Sequence, residues 1–173
     1  MDTTVARTKT YKAEDTDALL RGLLNGYRFN ICETSTDAAA ALDIRRRVYV
    51  ESSGYRVPVP DEYDRRSWLL LAREARTGEA VGCVRITPRN GGALEAEEYF
   101  ALPPRLRSPR SAEISRLAIL PAHRKGRTFL PIVSLGLFKL VMLLLESLEA
   151  DFMIICSKPA RIWTFDWMRF SRT

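Results

Sequence analysis

The sequence contains a single histidine, His123, and only three cysteines, Cys32, Cys83 and Cys156, which lie far apart. One histidine excludes a metal site built from several, and the cysteine spacing argues against a zinc site or a disulfide framework and for a reducing compartment. Residues 1–13 are polar and lack the apolar segment of a secretory signal peptide. We therefore expect a cytoplasmic protein without a bound metal, in which residues 1–13 form a flexible tail.

Long apolar runs are also scarce. The clearest, residues 129–145, has Pro131 in its first turn and Lys139 near its centre, where a charge is costly in lipid. A buried helix is therefore favoured over a membrane span, and a helix that contacts a membrane surface peripherally remains an alternative. Aromatic residues do not alternate with the basic ones at the spacing that stacks on bases, which disfavours nucleic acid as a partner.

The chain does have enough apolar content for a core, and it has an excess of positive charge. Its 173 residues, 46% of them hydrophobic, predict a single domain over residues 14–173. The formal net charge of +6 favours an acidic partner. The basic residues form short clusters rather than one tail, at residues 45–47, 65–66, 105–110 and 116–127.

Hydrophobic periodicity predicts a mixed α/β fold. Predicted helices cover residues 14–24, 37–50, 95–100, 128–149 and 159–170, and predicted strands cover residues 27–34, 68–73, 80–87, 114–120 and 151–157. Thr77-Gly78 makes a tight turn, so the second and third strands should form a hairpin. The strand, helix and strand that follow residue 113 predict a parallel pair, and the whole order predicts a mixed sheet with helices packed on it.

Residues 113–127 combine a buried strand, a basic loop and the start of the long helix. Unpaired N–H groups and the helix dipole favour an anion at such a junction. We therefore predict that the loop binds the phosphate of a donor, or a carrier protein, through Arg124, Lys125, Gly126 and Arg127. An ordinary strand-to-helix turn with solvated charges is the alternative interpretation.

Five motifs lie in a fixed order between residues 45 and 116. They are Arg45-Arg46-Arg47-Val48-Tyr49, Tyr55, Glu62-Tyr63-Asp64-Arg65-Arg66-Ser67, Gly82-Cys83-Val84-Arg85-Ile86 and Glu113-Ile114-Ser115-Arg116. Together they resemble two related groups with the GNAT acyltransferase fold, the acyl-homoserine-lactone autoinducer synthases and the N-acyl amino acid synthases. Ser67 favours the second group, since the first has an aspartate there. The resemblance implies a GNAT-like mixed sheet flanked by helices, without the C-terminal strands that usually complete it.

The resemblance also implies a site. The residues that match the autoinducer-synthase signature are Arg45, Tyr49, Tyr55, Asp64, Arg85, Glu113 and Arg116, and Ser67 lies where that signature has a second aspartate. Of these, Glu113, Arg116 and Asp64 are expected to be catalytic and the others to bind substrate. Glu113 is the candidate base for an attacking amine, because a buried strand start is expected to raise its pKa. Backbone N–H groups of Leu117 and Ile119 are candidates to stabilise the thioester oxygen and to pair with pantetheine amides.

The expected function is transfer of a fatty acyl chain from acyl carrier protein, or from coenzyme A, to the amine of an amino acid or a similar small acceptor. No permanently bound cofactor is expected. The carrier protein of the family is acidic, and basic residues near the site would steer it. Two alternatives stay open: an autoinducer synthase that uses S-adenosylmethionine, and a non-catalytic module that binds a lipid or a carrier protein. For Glu113 and Arg116, structural ion pairing with Arg85 and Asp64 is the alternative role.

Overall fold

The sheet has five strands in chain order in the computed structural model, which describes residues 24–124 and 132–157. The strands are β1 (Tyr27–Ile31), β2 (Trp68–Glu74), β3 (Ala80–Pro88), β4 (Ser111–Ile119) and β5 (Phe152–Ile155). Neighbouring strands are antiparallel except for β4 and β5, which are parallel. The mixed α/β sheet and the hairpin between β2 and β3 that the sequence predicts are therefore confirmed.

Within the same ranges, the α-helices are α1 (Ser35–Arg45), α2 (Ala96–Tyr99) and α3 (Ile132–Ser147). α1 begins at a side-chain cap, because the Thr34 hydroxyl accepts the Asp37 N–H at 3.1 Å. The prediction of one α-helix to residue 50 is wrong at its end, since Arg46–Glu51 form a π-helix, a wider turn that is common at functional sites. No helix in the described part of the chain is long and apolar enough to cross a membrane.

Several predicted segments cannot be compared with the structure. The predicted tail 1–13, nearly all of the predicted helix 14–24 and the predicted helix 159–170 lie outside the described residues, as do residues 125–131. Elsewhere the ends of the elements differ from the prediction by a few residues. The largest differences are of three residues: β1 ends at Ile31 rather than at Thr34, and β4 begins at Ser111 rather than at Ile114, because residues 111–113 already pair with β5.

Both faces of the sheet are covered by helices. α3 covers one face through a large apolar cluster that includes Leu70, Ile114 and Leu137. α1 covers the other face through a smaller cluster that includes Ile44 and Leu71. Buried polar side chains occupy the part of this second face that the smaller cluster does not cover.

A β-bulge interrupts β4. Cys83 pairs with Ala118, whereas Arg85 pairs with Ser115, so β4 has one extra residue between the two pairs. Within this bulge Arg116 has a φ of 56°, in the left-handed region that residues with a side chain seldom adopt. The extra residue shifts the alternation of β4 by one position. Even-numbered residues of β4 therefore face α3 before the bulge and α1 after it.

β4 also extends beyond β5. Their parallel pairing runs from Ser111 with Phe152 to Ile114 with Ile155. β4 continues to Ile119, and in the described ranges no strand pairs with residues 115–119 on that side. Residues 115–117 are half-buried, whereas the residues on either side of them are buried. Among the described residues, a short length of strand edge at the bulge is therefore without a strand partner, and we call it the available edge of β4.

Candidate active site

Six charged side chains form a largely buried network on the face of the sheet that α1 covers. Its cations are Arg45, Arg85 and Arg116, and its anions are Asp61, Asp64 and Glu95. Each cation contacts at least two of the anions. Arg85 is 0% exposed and Arg45 is 1% exposed. Burying a charge is costly unless it is paired, so each member of the network depends on the others for its stability.

The two aspartates are fixed by the local backbone of a 3₁₀ turn, Glu62–Arg66. Asp64 Oδ2 accepts the Asp61 N–H at 2.7 Å, and Asp61 Oδ1 accepts the Tyr63 N–H at 3.1 Å. The C-terminal residue of α1 then binds both carboxylates, because Arg45 donates to Asp64 Oδ1 at 2.5 Å and to Asp61 Oδ2 at 3.1 Å. The spacing of three residues between the aspartates thus produces both the turn and the arginine site.

The other two arginines come from neighbouring strands. Arg85 donates to Glu95 Oε2 at 2.5 Å and to Ser115 Oγ at 3.1 Å, and it also binds Asp61. Arg116 binds the same two carboxylates, Asp61 Oδ2 at 3.0 Å and Glu95 Oε1 at 2.6 Å. Consecutive residues of a regular strand point to opposite faces. Because Arg116 follows Ser115 directly, it is the bulge that lets the Arg116 side chain reach this face.

The network favours the charged forms of Asp61 and Arg116. Burial raises the pKa of the Asp61 carboxyl, but the guanidinium groups of Arg85, Arg116 and Arg45 outweigh burial and hold that pKa below its ordinary value. For Arg116, burial lowers the pKa, and the carboxylates of Glu95 and Asp61 reverse this effect and raise it. Three formal positive charges therefore face three formal negative charges, and the network is neutral as a whole.

Glu113 lies beside this network on β4 and is 2% exposed. Its Oε2 accepts the Ala96 N–H at 3.0 Å. Burial raises the pKa of the Glu113 carboxyl; the Ala96 hydrogen bond opposes the shift and the charge of Glu95 adds to it. Arg85 and Arg116 lower this pKa, but too little to reverse the shift, since both bind other carboxylates. Glu113 therefore holds a proton more readily than an exposed glutamate does.

Two tyrosines flank the bulge. Tyr49, in the π-helix, donates its hydroxyl to the Leu117 carbonyl at 2.7 Å. The Tyr55 N–H donates to the Tyr49 carbonyl at 2.9 Å, and the two ring centroids are 6.2 Å apart. The Tyr55 side chain is exposed. Tyr49, in the π-helix, thus contacts β4 at the bulge, and the exposed Tyr55 lies next to it.

Ser67 contacts the sheet rather than an arginine. Its hydroxyl donates to the Tyr63 carbonyl at 2.6 Å and shares a hydrogen bond of 2.7 Å with the Thr87 hydroxyl. Thr87 lies opposite Glu113 in the pairing of β3 with β4. Ser67 therefore joins the 3₁₀ turn to the sheet next to Glu113.

The predicted phosphate loop lies mostly outside the described residues. Of its four members the structure describes Arg124, whose Nε donates to the Ile119 carbonyl at 2.7 Å. Lys125, Gly126 and Arg127 are not among the described residues, so the anion site stays a prediction.

Two surface cavities lie away from the charged network. One, of about 490 Å³, lies between α3 and β5 beside Met142 and Phe152. The other, of about 500 Å³, lies beside Tyr27 at the start of β1, and Lys139 lines both. None of the residues predicted for the site lines either cavity. The candidate site is therefore defined by the charged network, Glu113 and the available edge of β4.

The structure brings together much of the site that the sequence implies. Five of the implied residues lie in the network or beside it: Arg45, Asp64, Arg85, Glu113 and Arg116. Sequence reasoning did not select Asp61 and Glu95. The signal for Asp61 was its position three residues before Asp64, which is the spacing of a reciprocal cap. For Glu95, which precedes a four-residue helix in a long connection, the sequence holds no comparable signal.

Comparison with known proteins identifies a domain family in the sequence. The sequence profile of the acetyltransferase (GNAT) domain matches residues 44–134, just over half of the chain. This range contains all six members of the charged network and Glu113. Comparison with curated protein sequences gives no match.

Solved structures share the fold at low sequence identity. FeeM, an N-acyl amino acid synthase from uncultured soil microbes, has a TM-score of 0.67 and 18% identity, covering 84% of this chain and 78% of its own. The AHL synthase LasI has a TM-score of 0.56 and 22% identity, covering 83% of this chain and 75% of its own. A GNAT family acetyltransferase from Brucella melitensis in complex with acetyl-CoA has a TM-score of 0.54 and 14% identity, covering 80% of each chain. At these identities the similarity supports the fold alone.

Proposed function

The chain belongs to the acetyltransferase (GNAT) domain family, and from this membership we propose that it is an N-acyltransferase that moves a fatty acyl chain from a thioester to a small amine. The family supplies the class of reaction. The observation that carries the proposal for this chain is the position of Glu113, a buried carboxyl of raised pKa next to the available edge of β4.

The edge of β4 suits the donor. An extended pantetheine arm carries amide groups, which pair with the backbone of an unpartnered strand edge as an added strand does. Residues 115–119 have no strand partner among the described residues, beginning just after Ile114, where the pairing with β5 ends. The Leu117 and Ile119 carbonyls already accept the Tyr49 hydroxyl and Arg124 Nε, so we propose that the donor pairs chiefly with the N–H groups of this edge. Glu113 is one residue before Ile114. A thioester bound along this edge would therefore start about two residue spacings of strand, roughly 7 Å, from Glu113.

The site can carry out each proton transfer of the reaction. An acceptor amine arrives as an ammonium ion, and Glu113 accepts one proton from it, directly or through a water. The free amine attacks the thioester carbonyl carbon, and the C–S bond breaks as the C–N bond forms. The second proton that the nitrogen loses goes to the departing thiolate. Burial favours Glu113 as this base, because a base works best when its pKa lies closer to the working pH than that of an exposed carboxyl.

The charge of the site favours an amine over an anion as the acceptor. The six network charges cancel, so none of its arginines is left to bind an anion without losing a protein partner. Ionised Glu113 adds one negative charge to this neutral surrounding. A cationic ammonium group is attracted to such a site, and it neutralises the site when it transfers its proton.

We infer that the donor is carried by acyl carrier protein. This rests on the resemblance of the five motifs to synthases that use that carrier, and on charge. Arg105, Arg107 and Arg110 are exposed on the connection between β3 and β4, the same connection that contains Glu95 and Ala96. An acidic carrier attracted to these arginines would be held close to the site. Coenzyme A thioesters are the competing donors, as one of the similar structures contains acetyl-CoA.

Purified protein incubated with acyl carrier protein thioesters or acyl-CoA thioesters, each with a mixture of amino acids and S-adenosylmethionine, tests the proposal. Mass spectrometry identifies the product. We expect an N-acyl amino acid, formed faster from the carrier-bound donor. An acyl-homoserine lactone would instead identify the autoinducer reaction.

The variant Glu113→Gln tests the role of the base, and Glu79→Gln is the matched control. Glu79 is exposed and lies just before β3, at the end of that strand away from Thr87, the partner of Glu113. Loss of a general base should lower kcat by roughly 10²–10⁴-fold, whereas the control should keep the wild-type rate. Absence of product from a folded protein with every donor, or a Glu113→Gln variant that is as fast as the wild type, would contradict the proposal and favour a binding module.

A further inference from the structure

We propose that Glu95 is a positioning residue of this site, whose carboxylate holds the guanidinium groups of Arg85 and Arg116 so that neither pairs with Glu113. The kinetic part of this inference rests on the proposed function. The geometric part does not, because it concerns only which carboxylate the two arginines bind.

Glu95 bridges the two arginines with one oxygen each. Oε2 accepts from Arg85 Nη2 at 2.5 Å, and Oε1 accepts from Arg116 Nη2 at 2.6 Å. Short contacts between a charged donor and a charged acceptor are among the stronger hydrogen bonds in proteins. Among the ion pairs of the described residues, these two arginines bind Asp61, Asp64 and Glu95, and not Glu113.

The same short segment fixes Glu113. Ala96, the next residue after Glu95, donates its N–H to Glu113 Oε2 at 3.0 Å. Leu94 and Ala96 on either side of Glu95 are both buried in a small apolar cluster that also contains Ile154. Packing therefore sets the position of this backbone, and two consecutive residues hold the arginines and the catalytic carboxyl apart.

The charged and titratable groups that face Glu113 come from four parts of the chain. Arg85 comes from β3, Arg116 from β4, Glu95 from the connection, and Cys156 follows β5. The two arginines stabilise ionised Glu113, and Glu95 opposes this. The Cys156 thiol is a minor influence, because desolvation together with the charges of Glu113 and Glu95 raises its pKa to about 11, so it is neutral at working pH.

Removal of the Glu95 charge has a predictable sign. In Glu95→Gln, Arg85 and Arg116 each lose one anionic partner. Their positive charges then stabilise ionised Glu113 without the opposing negative charge of Glu95. Glu113 should then ionise at lower pH and become a weaker base. A residue that only stabilised the fold would change the stability without moving this ionisation in a fixed direction.

Infrared difference titration of the full-length protein measures the ionisation directly. The protonated carboxyl band of Glu113 is identified as the band that Glu113→Gln lacks. We expect its midpoint to move to lower pH in Glu95→Gln, and we expect the acidic limb of kcat/KM against pH to extend to lower pH with it. Glu98→Gln is the control, because Glu98 is an exposed carboxylate of α2 that binds the Tyr63 hydroxyl and, among the described residues, forms no ion pair with an arginine.

A midpoint in Glu95→Gln that is unchanged, or that moves to higher pH, overturns the inference. If Glu95→Gln does not fold, the same substitution is made in an Arg116→Gln background, where charge balance is kept. There it must lower the midpoint relative to Arg116→Gln alone. A protein without acyltransferase activity would refute the proposed function, but the infrared midpoints would still decide the role of Glu95.

Discussion

Arg85→Met removes the most deeply buried cation of the site, and we expect it to lower the free energy of unfolding by about 3–5 kcal/mol. The Arg85 side chain is 0% exposed and contacts the carboxylates of Asp61, Asp64 and Glu95. Methionine replaces much of the aliphatic part of the arginine side chain. The main effect is therefore that three carboxylates lose a cationic partner. Two arginines then face three buried carboxylates. A domain of this size has about 5–15 kcal/mol of stability in total, so the loss should be plain.

Urea denaturation followed by circular dichroism measures this loss at neutral pH. Arg47→Met is the matched control. The Arg47 side chain is 43% exposed, and its contacts with Asp43 and Glu79 are both 4.0 Å long. Exposed pairs of this kind contribute about 0–1 kcal/mol, so the control should unfold close to the wild type.

The charge imbalance in Arg85→Met can be repaired within the same network. Adding Asp61→Asn leaves two arginines and two carboxylates, and we expect the double variant to recover about 1 kcal/mol or more relative to additive losses. The reasoning is refuted if Arg85→Met costs less than about 1 kcal/mol, or if the two losses simply add. Either result would mean that the buried charges are not coupled.

Three further predictions concern single contacts. The pKa of Glu113 is raised by folding, so wild-type stability falls as pH rises through that pKa; Glu113→Gln should gain stability relative to the wild type in alkaline buffer, as thermal unfolding at several pH values would show. Gly136→Ala would place a methyl carbon 2.1 Å from the Phe29 ring. The overpacking should cost about 1–3 kcal/mol in urea denaturation, more than the gain of about 1 kcal/mol in helix propensity, and Phe29→Leu should recover part of it. Tyr49→Phe removes the hydroxyl that donates to the Leu117 carbonyl, and we expect a loss of about 0.5–1.5 kcal/mol in the same assay.

The strands were predictable because their apolar residues alternate, or run continuously, between turn residues. β2 starts at Trp68 as expected, and Thr77-Gly78 joins it to β3 in the expected hairpin. The site arginines are a different case. Nothing in the charge pattern separates Arg45, Arg85 and Arg116 from the other cations among the 27 lysines and arginines. Their selection depended on the resemblance to known motifs, and the structure then gives them common partners.

The register of β4 could not be predicted from the sequence. Regular alternation would place Leu117 and Ile119 on the same face as Glu113. The bulge reverses this, so Ile119 packs on the face that α3 covers and Ala118 on the face that α1 covers. A glycine within the strand would have indicated a bulge in the sequence. This bulge is at Arg116, and arginine has no preference for the left-handed region.

The two missed carboxylates lie where periodicity carries no information. Asp61 is in a loop next to Glu62, and charge alone does not say which of the two faces the arginines. The reciprocal cap decides this, because it fixes the Asp61 carboxylate against the end of α1. The position of Glu95 in the site follows only from the tertiary structure, since its contacts are with residues 10 and 21 positions away in the chain.

The location of the positive charge separates two steps of recognition. The charges of the network cancel, so the chain's net +6 is carried by residues outside it, among them the exposed Arg105, Arg107 and Arg110. Exposed charges attract partners in solution and are screened by salt, whereas buried pairs are screened much less. Under the proposed function, attraction of an acidic donor belongs to the surface, and selection of an amine acceptor belongs to the neutral network around Glu113.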